Sequence, residues 1–282
     1  MRAFVLNFDA DAELAGAPAV RSMPRAVACR LLRARVRLVP RGDVVIGERP
    51  LDPAAIEAVH CWMPTPRARG VIQRAGLPMP HAPPFDVLYT VNARRFSCAL
   101  GAGPPGTRWV SSLAELPESF DGDRWLRRAH GFAGRGRHIA PRGPRQAATL
   151  AFARAAINAD GGFELAPRVE ILAEYALHGF LGADGALTLG EPLRSHVDPH
   201  GQWLRASHDA SLTAQERGEL TATTTRVARA LHDAGYFGPF GVDALRWRLD
   251  GARGFTACNE INARYTLSWA LGMRGRRVDL QP

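Results

Sequence analysis

Two carboxylates and an amide near the C-terminus, from Asp243, Glu260 and Asn262, are the side chains of this sequence best suited to chemistry. On a β-hairpin they would meet on one face, because side chains alternate along a strand. Like charges that face each other across two strands repel, so a cation between them would stabilise the pair. Oxygen ligands of low total charge suit Mg²⁺ that is shared with substrate phosphates. An ordinary surface hairpin is the alternative, and the spacing alone leaves both interpretations open.

The element that must position these residues is a predicted hairpin. Two runs rich in apolar and β-favouring residues, 240–249 and 254–261, flank the turn dipeptide Asp250-Gly251. A four-residue loop that begins at this dipeptide would set Asp243 opposite Glu260. A one-residue bulge in either strand would break that register.

A second candidate site is a glycine- and arginine-rich segment that follows a predicted strand at 124–129. Glycines let backbone N–H groups approach phosphate oxygens closely, and arginines add bidentate charge. The segment lacks the G-K-[ST] of a Walker A loop and the setting of a dinucleotide fingerprint. Taken alone, it is also typical of plain surface or of nonspecific anion binding. The candidate phosphate-binding residues are Gly131, Gly134, Arg135, Gly136 and Arg137.

Together, the two segments resemble the ATP-grasp superfamily, to which biotin carboxylase and D-alanine:D-alanine ligase belong. The resemblance rests on Asp243 followed, one hairpin later, by Glu260, Asn262 and Arg264 in an E-x-N-x-R pattern. It implies that Asp243, Glu260 and Asn262 hold Mg²⁺ on the phosphates of ATP. It also implies that Arg264 steadies the transferring phosphate, which makes Arg264 the candidate catalytic residue.

The resemblance places an arginine where the family has a lysine. Members carry a strand lysine just before the glycine loop, and the matching residue is Arg128, or Arg127 if the alignment shifts by one position. Arginine keeps the positive charge but not the compact geometry of an ammonium group.

The sequence also departs from the family at the hinge between the lobes. Members hold the ribose hydroxyls with an acidic residue there, whereas this chain has Ala166-Pro167. Glu164 or Glu170 would be substitutes, and Glu174 fits the next acidic strand position of the family. We therefore expect Glu174 to contact the nucleotide.

The order of the predicted elements divides the chain into two domains. Alternating strands and helices in residues 1–84 indicate a small α/β lobe with a mostly parallel sheet, which ends in the proline-rich linker 78–84. The resemblance identifies residues 85–282 as the ATP-grasp domain, with a glycine-loop subdomain at about 108–166 and a C-terminal sheet subdomain at about 167–282. The expected fold class is therefore α+β or α/β, an ATP-grasp fold with an N-terminal pre-ATP-grasp lobe.

Three finer expectations concern single elements and side chains. A helix is predicted over 25–35, followed by a strand at 36–39. Arg94 lies on a predicted helix, where a solvated face is favoured over a role in the site. His178 and Arg194 are candidate substrate contacts.

Composition places the chain among globular proteins. Its 282 residues are 46% hydrophobic, enough for a sizeable core. The formal net charge is +9, and all 36 basic residues are arginine, so the charge reflects a bias of the whole chain and is weak evidence for nucleic acid. The four cysteines have no metal-ligand spacing, and no stretch approaches the roughly 20 apolar residues of a membrane span. The sequence therefore predicts a cytoplasmic protein with no membrane partner.

The function that these features favour is that of an ATP- and Mg²⁺-dependent ligase. A substrate carboxylate would attack the γ-phosphate, and an amine or similar nucleophile would displace phosphate from the acyl phosphate. The partners would be ATP and a small-molecule or peptide carboxylate, and homodimer formation is left open. The main alternative is a degenerate ATP-grasp protein that binds nucleotide or a partner without catalysis. A nucleic-acid binder is less favoured, because the arginine-rich stretches lack interleaved aromatic residues.

Overall fold

The structure is a computed structural model that describes residues 1–18, 25–48, 50–132, 135–198, 203–208 and 211–281. The strands are β1 Arg2–Val5, β2 Val44–Val45, β3 Ala58–Cys61, β4 Arg108–Val110, β5 Ser119–Phe120, β6 Arg124–Phe132, β7 Arg135–Ala140, β8 Gly143–Pro144, β9 Phe163–Pro167, β10 Glu170–Leu181, β11 Leu187–Leu189, β12 Leu193–Val197, β13 Trp203–Ser207, β14 Gly238–Leu249 and β15 Ala252–Asn262. The helices are α1 Ala10–Leu14, α2 Arg25–Leu38, α3 Pro66–Arg74, α4 Phe85–Val91, α5 Arg94–Ala99, α6 Ala147–Asp160, α7 Ala214–Asp233 and α8 Trp269–Gly272.

The N-terminal residues form a small parallel sheet of order β2-β1-β3. Its apolar side chains pack with those of α3, as expected for a parallel sheet that helices cover. The strand predicted at 36–39 is wrong, because α2 continues to Leu38. Helical spacing brings Ala34 and Leu38 onto the same buried side of α2, and this packing outweighs the β-favouring valines nearby.

The middle of the chain forms an antiparallel sheet of order β4-β9-β6-β7. α6 packs against it through the buried Ala153 and Ala156, and is capped by Gly161, whose φ of 69° is left-handed. Much of the predicted glycine loop belongs to a hairpin, since β6 extends to Phe132 and β7 begins at Arg135.

The largest sheet contains the acidic hairpin at its edge. Its order is β13-β12-β10-β14-β15, with β11 paired to the far end of β10. α7 covers this sheet with a buried stripe that includes Leu220, Val227 and Leu231. A capping box fixes the start of α7: the Glu216 backbone N–H donates to Thr213 Oγ1 at 3.1 Å, and the Thr213 N–H donates to Glu216 Oε2 at 2.8 Å.

The hairpin of β14 and β15 has the predicted pairing of Asp243 with Glu260, but reaches it by a different route. The turn is Asp250-Gly251, two residues with φ angles of 49° and 84°, so Leu249 pairs with Ala252. Such left-handed angles match the twist of the flanking strands. A bulge just before the acidic pair then shifts the register by two residues. The bulge offsets the two residues by which the turn is shorter than predicted, and a shift of two keeps every side chain on its own face.

The N-terminal lobe is held against the end of this hairpin. The Arg264 guanidinium donates to both carboxylate oxygens of Asp11, at 2.8 and 2.7 Å, and the Tyr265 N–H donates to the Trp62 carbonyl at 3.3 Å. The Trp62 and Trp269 side chains share one buried core with residues of β14 and α7. The packing therefore brings the lobe directly over the acidic face.

Candidate active site

A cavity of about 560 Å³ opens where the N-terminal lobe and the two antiparallel sheets meet. Its walls come from β6 and β7 on one side and from β10, β12, β14 and β15 on the other. The sequence-predicted site residues that line it are Gly131, Arg135, Gly136, Arg137, Glu174, Asp243, Glu260, Asn262 and Arg264. Both predicted site segments therefore face one cavity.

The three predicted metal ligands meet on one face of β14 and β15. Asp243 and Glu260 are cross-strand partners, and the Asn262 amide donates to Asp243 Oδ2 at 2.9 Å. Burial, together with the charges of Glu260 and Glu174, raises the pKa of Asp243 to about 7. A divalent cation among these oxygens would relieve the repulsion, so the donor set fits Mg²⁺. No group of three or more His, Cys, Asp or Glu side chains suited to a metal occurs in the described ranges, and this set accordingly combines two carboxylates with an amide.

Glu260 also accepts a hydrogen bond from an arginine of helix α5. Arg94 Nη2 donates to Glu260 Oε1 at 3.1 Å, and the Arg94 side chain is only 13% exposed. Burial by itself would raise the pKa of Glu260, but the charges of Arg94, Arg127 and Arg264 outweigh it and hold the pKa below its ordinary value. Glu260 therefore faces the cavity as an ionised carboxylate.

Adjacent arginines of β6 point to opposite sides of the sheet. Arg127 lines the cavity and pairs with Glu164, which is 1% exposed. Arg128 donates to both oxygens of Asp160 on α6, at 2.7 and 2.8 Å, and does not line the cavity. Because side chains alternate along a strand, only one of the two can face the site. Of the two alternatives predicted from the sequence, Arg127 is therefore the one that faces the cavity.

Four of the five predicted loop residues border the cavity: Gly131, Arg135, Gly136 and Arg137. Gly134 lies outside the described residues. Gly136 has a φ of 72°, which only glycine adopts at little cost. A Cβ on Gly131 would lie 3.4 Å from the Arg135 carbonyl oxygen, in van der Waals contact with the other strand of the hairpin. Small residues thus let the backbone of this hairpin approach whatever the cavity holds.

Solved structures with the same architecture were found, although no family model and no curated protein matches the sequence. N5-carboxyaminoimidazole synthetase from Staphylococcus aureus, solved with ADP, matches with a TM-score of 0.55 at 11% identity, over 94% of this chain and 70% of its own. D-alanine–D-alanine ligase from Bacillus anthracis, solved with ATP, matches with a TM-score of 0.52 at 11% identity, over 97% of this chain and 95% of its own. Pyruvate carboxylase from Rhizobium etli matches with a TM-score of 0.56 at 17% identity, over 94% of this chain, which spans only 26% of that protein.

The chain has the ATP-grasp fold. This confirms the fold predicted from the acidic hairpin and the glycine-rich segment. At identities of 11% to 17% the similarity concerns the fold alone.

The three acidic residues that follow or precede Ala166-Pro167 differ in their contacts. Glu164 forms buried ion pairs with Arg127 and Arg94, and Glu170 forms a surface ion pair with Arg248. Glu174 lines the cavity, and burial followed by the charge of Glu260 raises its pKa. Of the three acidic candidates, Glu174 is therefore the one free to contact a ligand.

Sequence reasoning missed two charged residues of the ATP-grasp cavity. Arg94 was expected on a solvated face, but it is buried and bonded to Glu260. Asp11 belongs to no recognised motif, but its carboxylate accepts two hydrogen bonds from Arg264. These contacts join residues 166 and 253 positions apart in the chain, so no local pattern signals them.

His178, a predicted substrate contact, lies beneath the cavity floor. It is 1% exposed, its Nε2 lies 3.3 Å from the Oγ of Ser268, and Nδ1 has no partner among the described residues. A Cβ on Gly272 would come within 2.5 Å of Nδ1, so a glycine makes room for the ring. Arg194 does not line the cavity, whereas its neighbour Ser195 does. Ser268, the hydrogen-bond partner of His178, does line the cavity, so His178 supports the cavity wall rather than contacting its contents.

We expect His178 to make the fold sensitive to acid. Burial lowers the pKa of His178 from 6.5 to about 4. Between these two values the unfolded chain binds a proton at His178 that the folded protein does not bind. Stability then decreases as the pH falls from 6.5 towards 4, by about 2 kcal/mol between pH 7 and pH 5. Urea unfolding at the two pH values should show a decrease that is about 2 kcal/mol smaller in His178→Gln. The exposed His81→Gln is the matched control, and an equal pH dependence of all three proteins would contradict the prediction.

Proposed function

We propose that this protein is an ATP- and Mg²⁺-dependent ligase that activates a carboxylate as an acyl phosphate for attack by an amine or similar nucleophile. The observation that carries the proposal is the convergence of Asp243, Glu260 and Asn262 with five arginines and a glycine-rich hairpin on one cavity. The ATP-grasp fold supports it, because relatives solved with ADP or ATP include a synthetase and a ligase.

In the proposed reaction, the residues of the chain mainly bind and orient. A carboxylate oxygen of the substrate attacks the γ-phosphorus and ADP leaves. The nucleophile nitrogen then attacks the acyl carbon, phosphate leaves with the bond electrons, and the nitrogen loses a proton to solvent. Mg²⁺, held by Asp243, Glu260 and Asn262, would supply charge neutralisation on the phosphate oxygens. Arg127 and Arg137 would bind those oxygens, and arginine suits them because its fork donates two parallel hydrogen bonds.

Arg264 is the proposed catalytic residue, because it lines the cavity beside Glu260 and Asn262. Its two bonds to Asp11 fix the plane of the guanidinium, and its remaining Nη1 donates to the Tyr265 carbonyl at 3.1 Å. A cation held this rigidly stabilises charge that develops on a transferring phosphoryl group without reorganising. Glu174 would contact the nucleotide from β10 in place of a hinge acid.

The second candidate function is nucleotide binding without catalysis. Ala166 at the hinge is 1% exposed and offers no acidic group to a ribose, which favours this alternative. Two measurements separate the candidates: calorimetric titration with Mg-ATP, and phosphate release after adding mixtures of carboxylic acids and amines. Binding followed by release that needs both additions supports the ligase. Binding without any release supports the second candidate, and absence of Mg-ATP binding contradicts both.

A further inference from the structure

Helix α2 carries apolar residues on two opposite sides. Ala34 and Leu38 face the core and are 5% and 2% exposed. Leu32 and Val36, one helical turn apart, are 56% and 68% exposed, more than any other large apolar side chain in the described part of the chain. A surface helix ordinarily has one apolar side and one polar side. The outward apolar side of α2 therefore lacks the cover that the inward side has.

Arginines flank this outward apolar side. Arg33 and Arg37 are exposed next to Leu32 and Val36, and Arg41 follows just after the helix. None of these three has an ion-pair partner among the described residues, and α2 contains no acidic residue. The outer face of α2, defined by Leu32, Arg33, Val36, Arg37 and Arg41, is thus a small apolar strip with an uncompensated positive border.

We propose that the outer face of α2 docks on the surface of an anionic lipid bilayer. Leu32 and Val36 insert between the lipids at the boundary of headgroups and acyl chains. Arg33, Arg37 and Arg41 reach the phosphates with their guanidinium groups while their aliphatic stems stay near the apolar strip. The proposal departs from the expectation that no membrane is a partner, which concerned membrane spans. None of the described helices has both the length and the apolar character that crossing a membrane requires.

Charge and area favour a bilayer over other occupants. In a symmetric contact with a second copy, the same patch meets itself, so Arg33 and Arg37 would oppose their own counterparts. A stable complex with another protein needs roughly 800 Å² from each partner, far more than two aliphatic side chains supply. Nucleic acid would use the arginines but leave Leu32 and Val36 in water. On an anionic bilayer both the apolar side chains and the arginines make favourable contacts, and their contributions to the binding free energy add.

The test is sedimentation of the full chain with vesicles. We expect binding to phosphatidylcholine vesicles that contain about one quarter phosphatidylglycerol, at least about tenfold tighter than to pure phosphatidylcholine, and weaker binding as the salt concentration rises. Leu32→Asp combined with Val36→Asp should weaken binding about tenfold, and Arg33→Gln combined with Arg37→Gln by a similar factor. The controls are Leu204→Asp, at an exposed leucine elsewhere, and Arg217→Gln with Arg229→Gln on α7, which should bind within about twofold of wild type.

Several results would overturn the proposal. One is the absence of sedimentation with anionic vesicles at low salt. Another is equal binding of the Leu32 and Val36 double variant and the Leu204 control, which would reduce the contact to general attraction by a basic protein. A third is a wild-type dimer that the aspartates dissociate, which would assign the face to a second copy. Because substitutions on this outer face remove no residue of the proposed ATP site, unchanged Mg-ATP binding by these variants keeps this test separate from that of the ligase.

Discussion

Replacing Glu260 with glutamine is expected to remove the Mg²⁺ dependence of nucleotide binding. Glutamine keeps the shape of the side chain and an oxygen that can accept from Arg94, but it loses the charge that faces Asp243 across the hairpin. We expect the affinity for a non-hydrolysable ATP analogue in Mg²⁺ to fall about a hundredfold, and phosphate release to fall about a thousandfold. Calorimetric titration in Mg²⁺ and in EDTA measures the first effect.

Glu170→Gln is the matched control for this experiment. Glu170 begins strand β10 of the same sheet, is exposed, and pairs with Arg248 outside the cavity. It should bind the analogue like wild type. The unfolding midpoints of both variants should lie within about 3 °C of wild type, which separates loss of the site from loss of the fold. If Mg²⁺ tightens binding equally in Glu260→Gln and wild type, the metal assignment fails.

The second large effect concerns the choice between two adjacent arginines. Arg127→Gln is expected to weaken binding of the same analogue about a hundredfold, because a charge-assisted contact to phosphate contributes about 1.5–3 kcal/mol and Arg127 lines the cavity. Arg128→Gln should weaken it less than about threefold, because Arg128 binds Asp160 away from the cavity. The ratio of the two dissociation constants is the measured quantity.

The Arg127→Lys variant tests whether Arg127→Gln loses nucleotide affinity only because the structure is disturbed. Glu164 is 1% exposed and pairs with both Arg127 and Arg94, so removal of the Arg127 charge leaves that carboxylate with one partner fewer and lowers stability. Lysine keeps the charge and should recover binding to within about tenfold of wild type. A larger loss of affinity in Arg128→Gln than in Arg127→Gln would return the phosphate contact to Arg128 and reverse the assignment made from the structure.

The acidic hairpin was predictable because its determinants are local. The Asp250-Gly251 dipeptide favours a tight turn, and the alternation of side chains puts Glu260 and Asn262 on one face whatever surrounds them. The predicted four-residue loop is wrong, and no pattern in the sequence indicates the bulge that compensates for the shorter turn. The predicted pairing of Asp243 with Glu260 is correct because the bulge offsets the two residues by which the turn is shorter than predicted. The side chains stay on one face because only odd shifts of register move a side chain to the other face.

The charges around the acidic face were not predictable in the same way. Arg94 is 166 positions from its partner Glu260, and Asp11 is 253 positions from its partner Arg264. Such contacts depend on how whole lobes pack. The orientation of Arg127 likewise depends on which side of β6 faces the other sheet. Two consecutive arginines place one side chain on each side of a strand, so their spacing does not show which one faces the site.

The sequence by itself indicated the ATP-grasp fold through its resemblance to that superfamily. It also determined the common face of Asp243, Glu260 and Asn262, because turn chemistry and strand alternation act over a few residues. Only the tertiary structure decided that Arg127 faces the cavity, that Arg94 and Asp11 hold the charged groups around it, and that His178 lies beneath its floor. The physical reason is that burial and ion pairing depend on the distances between segments that only the packed lobes bring together.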